Sequence, residues 1–187
     1  RPLPGVRALG DALGPAIEGG HLRVTAVPGR QGAAEEQELL DRVKLSGRFD
    51  PDRSADYLSL RSANLVPNKL DVFLSRSVSA TVQLDPRTGA VRTTVEVQLS
   101  NSAPTSGLPD YVLGTGAQVP RGTNKDLLSL YTPLSLSEVT VDGVRVGVQS
   151  QQELGANVFA VPVEIPSGGQ VTVRYVLEGP PPAGLVE

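Results

Sequence analysis

The sequence predicts an α+β chain, predominantly an antiparallel β-sandwich with a small N-terminal helix-strand-helix flank. Three observations carry this reading. The stretch from Leu70 to Asn101 holds the clearest period-two pattern: Val78, Ala80, Val82 and Leu84 share one phase, as do Val91, Thr93, Val95, Val97 and Leu99, while the other phase is polar. After Lys125, short alternating segments follow one another, separated by turn residues. Residues 1–55 instead mix helical apolar spacing with Gly and Pro.

In the flank, Val6, Leu9, Leu13 and Ile17 recur at three- and four-residue steps and predict a short helix, weakened by Gly10, Gly14 and Pro15. Leu22, Val24 and Ala26 alternate with Arg23 and Thr25, which predicts a strand ending at Pro28-Gly29. A second helix is expected over Ala33 to Lys44. Glu35 and Glu36 suit its first turn and Arg42 and Lys44 its last, Leu39, Leu40 and Val43 form its apolar face, and Gly47 closes it. Tyr57 to Arg61 reads as a further strand. The expected organisation is a flank over 1–55 packed on the main domain, a sandwich over 56–180 and a tail over 181–187.

The hairpin turn is Asp85-Pro86-Arg87-Thr88-Gly89: an Asp that bonds its own backbone, a Pro with preset φ, and a Gly free to take positive φ. Residues 101–125 lack periodicity and are rich in Gly and Pro, yet Leu108, Tyr111, Val112 and Leu113 suggest that this long loop packs down. Strands are then expected over Leu127 to Thr132, Glu138 to Val141 and Val144 to Val148, with Asp142-Gly143 as a type I′ hairpin turn. Phe159, Val161, Val163 and Ile165 define the inner face of the next strand, which Pro162 marks as an edge or bulged one. Val171, Val173, Tyr175 and Leu177 define the inner face of the last.

Composition narrows function by exclusion. With 39% hydrophobic residues among 187, three Phe, four Tyr and no Trp, the core must be aliphatic. A net charge of -3 with scattered basic residues argues against a nucleic-acid partner. The absence of Cys removes disulfides, thiolate catalysis and zinc-thiolate sites. No apolar run reaches the roughly 20 residues of a membrane span, and no signal-peptide pattern opens the chain. The start at Arg1 is expected to reflect a soluble piece of a longer protein.

Candidate chemistry is sparse. His21 is the sole histidine, and no motif supplies it with a catalytic or metal-binding partner. Asp50, Asp52 and Asp56 resemble the start of a calcium loop but lack its central Gly and terminal Glu. Gly114-Thr115-Gly116 lacks the rest of a phosphate loop. Asn68, Lys69 and Asp71 form a polar cluster at the mouth of the hairpin, and Tyr111 and Leu113 stand on the long loop. These five are the candidate binding residues; the loop either forms the interaction surface or caps the open end of the sandwich. No catalytic residue, metal ligand or cofactor is expected.

Asn68-Lys69-Leu70-Asp71 with Phe73-Leu74, Asn101-Ser102-Ala103-Pro104, Leu108-Pro109-Asp110-Tyr111-Val112, Pro120-Arg121-Gly122-Thr123, Leu130-Tyr131-Thr132-Pro133 and Val141-Asp142-Gly143 resemble the C-terminal part of the domain of unknown function 4012 family. The segment from His21 to Gly47 is similar as well. Phe73 departs from the pattern, since relatives more often carry Tyr. The resemblance implies an actinobacterial envelope protein, membrane-anchored upstream with its bulk outside the cell, and it implies no activity. Two functional classes stay open: a non-catalytic extracellular module contacting envelope proteins or glycans, or an accessory part of an envelope enzyme whose catalytic residues lie upstream.

Overall fold

The computed structural model describes residues 11, 13–17, 22–43, 45–47 and 57–179, and the chain divides into two compact units, Arg1–Asp50 and Pro51–Glu187. His21, Asp50, Asp52, Asp56 and the 181–187 tail lie outside the described residues.

In the first unit, residues 13–17 are helical and α1 spans Ala33–Arg42. Glu35 and Glu36 complement the helix dipole at its start and Arg42 at its end, where it also pairs with Glu38 at 2.9 Å. The strand expected around Leu22 to Ala26 does not form. Residues 22–27 belong to no ladder, and the Val24 N–H donates to Leu45 O at 3.0 Å. Alternation alone could not supply a partner strand. The expected apolar face of α1 is also open, with Leu39 57% and Val43 50% exposed, since so short a unit offers little to bury it against.

The second unit is a sandwich of two antiparallel sheets. Its strands are β1 (Ser59–Asn64), β2 (Leu74–Leu84), β3 (Val91–Asn101), β4 (Asn124–Thr132), β5 (Ser135–Val141), β6 (Val144–Arg145), β7 (Gln149–Glu153), β8 (Ala156–Ile165) and β9 (Gln170–Gly179). One sheet has the order β1-β4-β8-β7 and the other β2-β3-β9-β5-β6. Between them lies a largely aliphatic core to which β3 contributes Val95, Val97 and Leu99, β8 contributes Phe159, Val161, Val163 and Ile165, and β9 contributes Val171, Val173, Tyr175 and Leu177. These are the phases that alternation predicts. Tyr175 is fully buried; its hydroxyl donates to Leu128 O across the sheets at 3.3 Å, and burial pushes its pKa up.

The local turn chemistry acts as expected. Asp85 Oδ1 accepts from the Arg87 N–H at 2.8 Å, and Gly89 takes φ 71. Asp142 and Gly143 take φ 49 and 81, the pattern of a type I′ turn, and Asp142 Oδ1 also accepts the Thr172 N–H at 2.8 Å. Pro162 lies in β8 just beyond the last residue paired with β7, Ala160, so β8 is locally an edge where the missing N–H costs nothing. Strand β6 is only two residues long, where five were expected. β7, with the sequence Gln-Ser-Gln-Gln-Glu, has no apolar phase to announce it.

Between β3 and β4 the long loop is pinned at several points. Leu113, at the end of the short helix α2 (Asp110–Leu113), packs with Leu70 and Ala103. Arg121 pairs with Asp110 and donates to Leu108 O at 3.3 Å. Gly122 takes φ 79, and a Cβ there would stand 2.6 Å from Pro104 O, so both the backbone and the space demand glycine.

Candidate functional site

The site is a groove along the side of the sandwich where β1 and β2, the terminal strands of the two sheets, each leave one edge unpaired among the described residues. The β2–β3 hairpin keeps an unbroken register from Leu74↔Asn101 to Leu84↔Val91. Its apolar phase was expected to be buried throughout, and β3 meets that expectation. β2 does not: Val78 is 53% exposed, Val82 62% and Leu84 47%, although all three lie on the core-facing phase. None of the three belongs to the buried core cluster or packs against it, so an aliphatic stripe remains open beside the core.

Two cavities mark the ends of the groove. One, of about 180 Å³, is lined by Tyr57, Leu58, Val82, Thr93 and Leu134. The other, of about 310 Å³, is lined by Ser62, Asp71, Leu74, Arg76 and Leu99. The first is largely apolar, whereas the second brings a hydroxyl, a carboxylate and a guanidinium to one opening.

Behind the polar opening, β4 carries Asn124 and Asp126 on the phase that continues as Leu128 and Leu130, and both polar residues are fully buried. Asn124 Nδ2 donates to Asp71 Oδ1 at 3.1 Å, and Asp126 Oδ2 accepts from Ser62 Oγ. The remaining oxygens, Asn124 Oδ1 and Asp126 Oδ1, are buried with no hydrogen-bond partner. Burial raises the Asp126 pKa, the Asp71 charge adds to that, and the Ser62 hydrogen bond and the Arg76 charge oppose it.

The candidate residues separate in space. Asp71, in a 3₁₀ turn (Leu70–Phe73) where a strand was expected to begin, faces the polar opening and also accepts from Asn64 Nδ2 at 3.4 Å. Asn68 is buried; it accepts from Asn64 Nδ2 at 2.7 Å and lines a separate cavity of about 110 Å³ beside residues 114–119. The Lys69 N–H donates to Val112 O at 3.1 Å and so ties the long loop to the start of the hairpin. Tyr111 is 70% exposed, while Leu113, at 1%, is an anchor of the loop with no surface to offer a partner. Ser62, Arg76, Asn124 and Asp126 escaped sequence reasoning. Asn124 and Asp126 had a readable signal, polar residues on the apolar phase of a strand. No family model matches the chain, and no curated protein matches it.

Proposed function

We propose that the chain is a non-catalytic binding module of the cell surface whose ligand is an extended segment of another envelope protein, laid along the groove between β1 and β2. One observation carries the reading: β2 is an edge strand of eleven residues whose apolar phase is open to solvent. Arg76 is its sole charged side chain, it contains no Pro, and no bulge interrupts its register. Edge strands that face only water are generally shortened, charged or bulged, because an open edge recruits further strands. An added peptide strand gains main-chain hydrogen bonds and sets alternate side chains into the adjoining groove. The aliphatic stripe favours a polypeptide over a glycan. Placement at the cell surface rests on the family resemblance.

The test replaces Val78 and Val82 together by Lys. The variant should fold with an unchanged unfolding midpoint and lose its association with envelope protein from cells that make it. Association that survives both lysines would refute the reading.

A further inference from the structure

We propose that Ser62, Asp71, Asn124 and Asp126, at the polar end of the groove, bind a hard divalent cation of the calcium type. Two fully buried acceptors, Asn124 Oδ1 and Asp126 Oδ1, lack any donor. An unpartnered buried oxygen loses its hydration without compensation, and two on one strand face, two residues apart, point to a shared positive partner. Reversing the Asn124 amide does not resolve this, because it would turn an oxygen toward Asp71 Oδ1, which now accepts from Nδ2.

Through their other polar atoms, Asn124 and Asp126 contact the two residues at the cavity mouth, Asp71 and Ser62, so the orphaned oxygens lie one side chain behind that opening. Every donor is oxygen: two carboxylates, an amide and a hydroxyl. That set suits calcium, magnesium or manganese over zinc or copper. Among the described residues no group of three or more His, Asp or Glu side chains could hold a metal, so neutral oxygens and water must complete the shell. Ligands drawn from separate elements, beside an open cavity of about 310 Å³, fit the variable geometry of calcium better than the strict octahedron of magnesium. Arg76 lines the same cavity and repels the ion, which lowers the affinity toward the millimolar range of extracellular calcium modules.

The experiment measures calcium binding to the whole chain by calorimetry and follows the unfolding midpoint in CaCl₂ against NaCl of equal ionic strength. The proposal expects one ion per chain, a midpoint that rises with calcium and not with sodium, loss of both effects in Asp126→Asn and in Asp71→Asn, and severalfold tighter binding in Arg76→Gln. Absence of binding at calcium about tenfold above the millimolar range would overturn it. So would binding unchanged in both carboxylate variants, or an equal response to sodium. If the carboxylate variants do not fold, Arg76→Gln decides: tighter binding supports the site, and unchanged binding overturns it.

Discussion

The side-chain amide of Asn101, at the end of β3, donates to the main-chain oxygen of Ile165, at the end of β8, at 2.8 Å. Its second proton goes to Gly122 O, also at 2.8 Å, and its Oδ1 accepts from the Ala103 N–H at 3.0 Å. One buried side chain thus closes the end of the sandwich and joins the two sheets to the long loop. Asn101→Ala should cost about 1 to 3 kcal/mol, because it strands buried carbonyls and an amide. Asn101→Asp should cost at least as much, since it sets a carboxylate against two carbonyl oxygens. Chemical denaturation of both variants checks this; an Asp variant as stable as the parent would contradict it.

Within the long loop, burial separates two neighbours. Leu113→Ala should destabilise by about 2 to 5 kcal/mol through loss of its contacts with Leu70 and Ala103. Tyr111→Ala should stay within about 0.5 kcal/mol of the parent, as expected for an exposed side chain. Equal effects on the unfolding midpoint would show that the loop is packed differently.

Much of this architecture was legible in the sequence because it rests on local chemistry. The hairpin from β2 to β3, the Asp85 and Asp142-Gly143 turns and the inner phases of β8 and β9 follow from side-chain alternation and from which residues tolerate positive φ. What was hidden depends on neighbours. Leu22 to Ala26 alternates without finding a partner, whereas Gln149 to Glu153 forms a strand without alternating. Alternation assigns Val78 and Val82 to the core phase, but it cannot say whether a strand of the facing sheet reaches over them. The polar end of the groove draws Ser62, Asp71, Arg76 and Asp126 from four elements, and no linear spacing records that meeting.

Gly122→Ala should be costly for two reasons that act together, a φ of 79 and a Cβ placed 2.6 Å from Pro104 O. Gly143→Ala shares only the first, since its φ is 81 and nothing stands near the added Cβ. The larger loss of thermal stability is therefore expected at Gly122, and the reverse order would count against the packing of the long loop onto Pro104.

Asp85 supplies a prediction for pH. The Arg87 N–H chiefly, and then the Thr88 hydroxyl, hold its carboxyl below the ordinary value of 3.8. A folded pKa below the unfolded one means that its contribution is present above pH 3.8 and is lost as pH falls through the lower folded value. An NMR titration of Asp85 Cγ should place the midpoint below 3.8, and the Arg87 amide should shift with it. In Asp85→Asn that acid-limb shift of the Arg87 amide should vanish while the turn survives.

The measurement that bears most directly on the proposed binding role is photo-crosslinking in cells that make the protein, with the reactive side chain placed in turn at Val78, Val82 and Thr81. Val78 and Val82 lie on the open apolar stripe, and Thr81, on the same strand, points to the opposite face. The account predicts adducts to one discrete envelope polypeptide from positions 78 and 82, none from 81, and slowed hydrogen exchange along β2 when that polypeptide is added to the purified chain. Adducts from 81 as readily as from its neighbours, or β2 amides that exchange at the same rate in its presence, would contradict it.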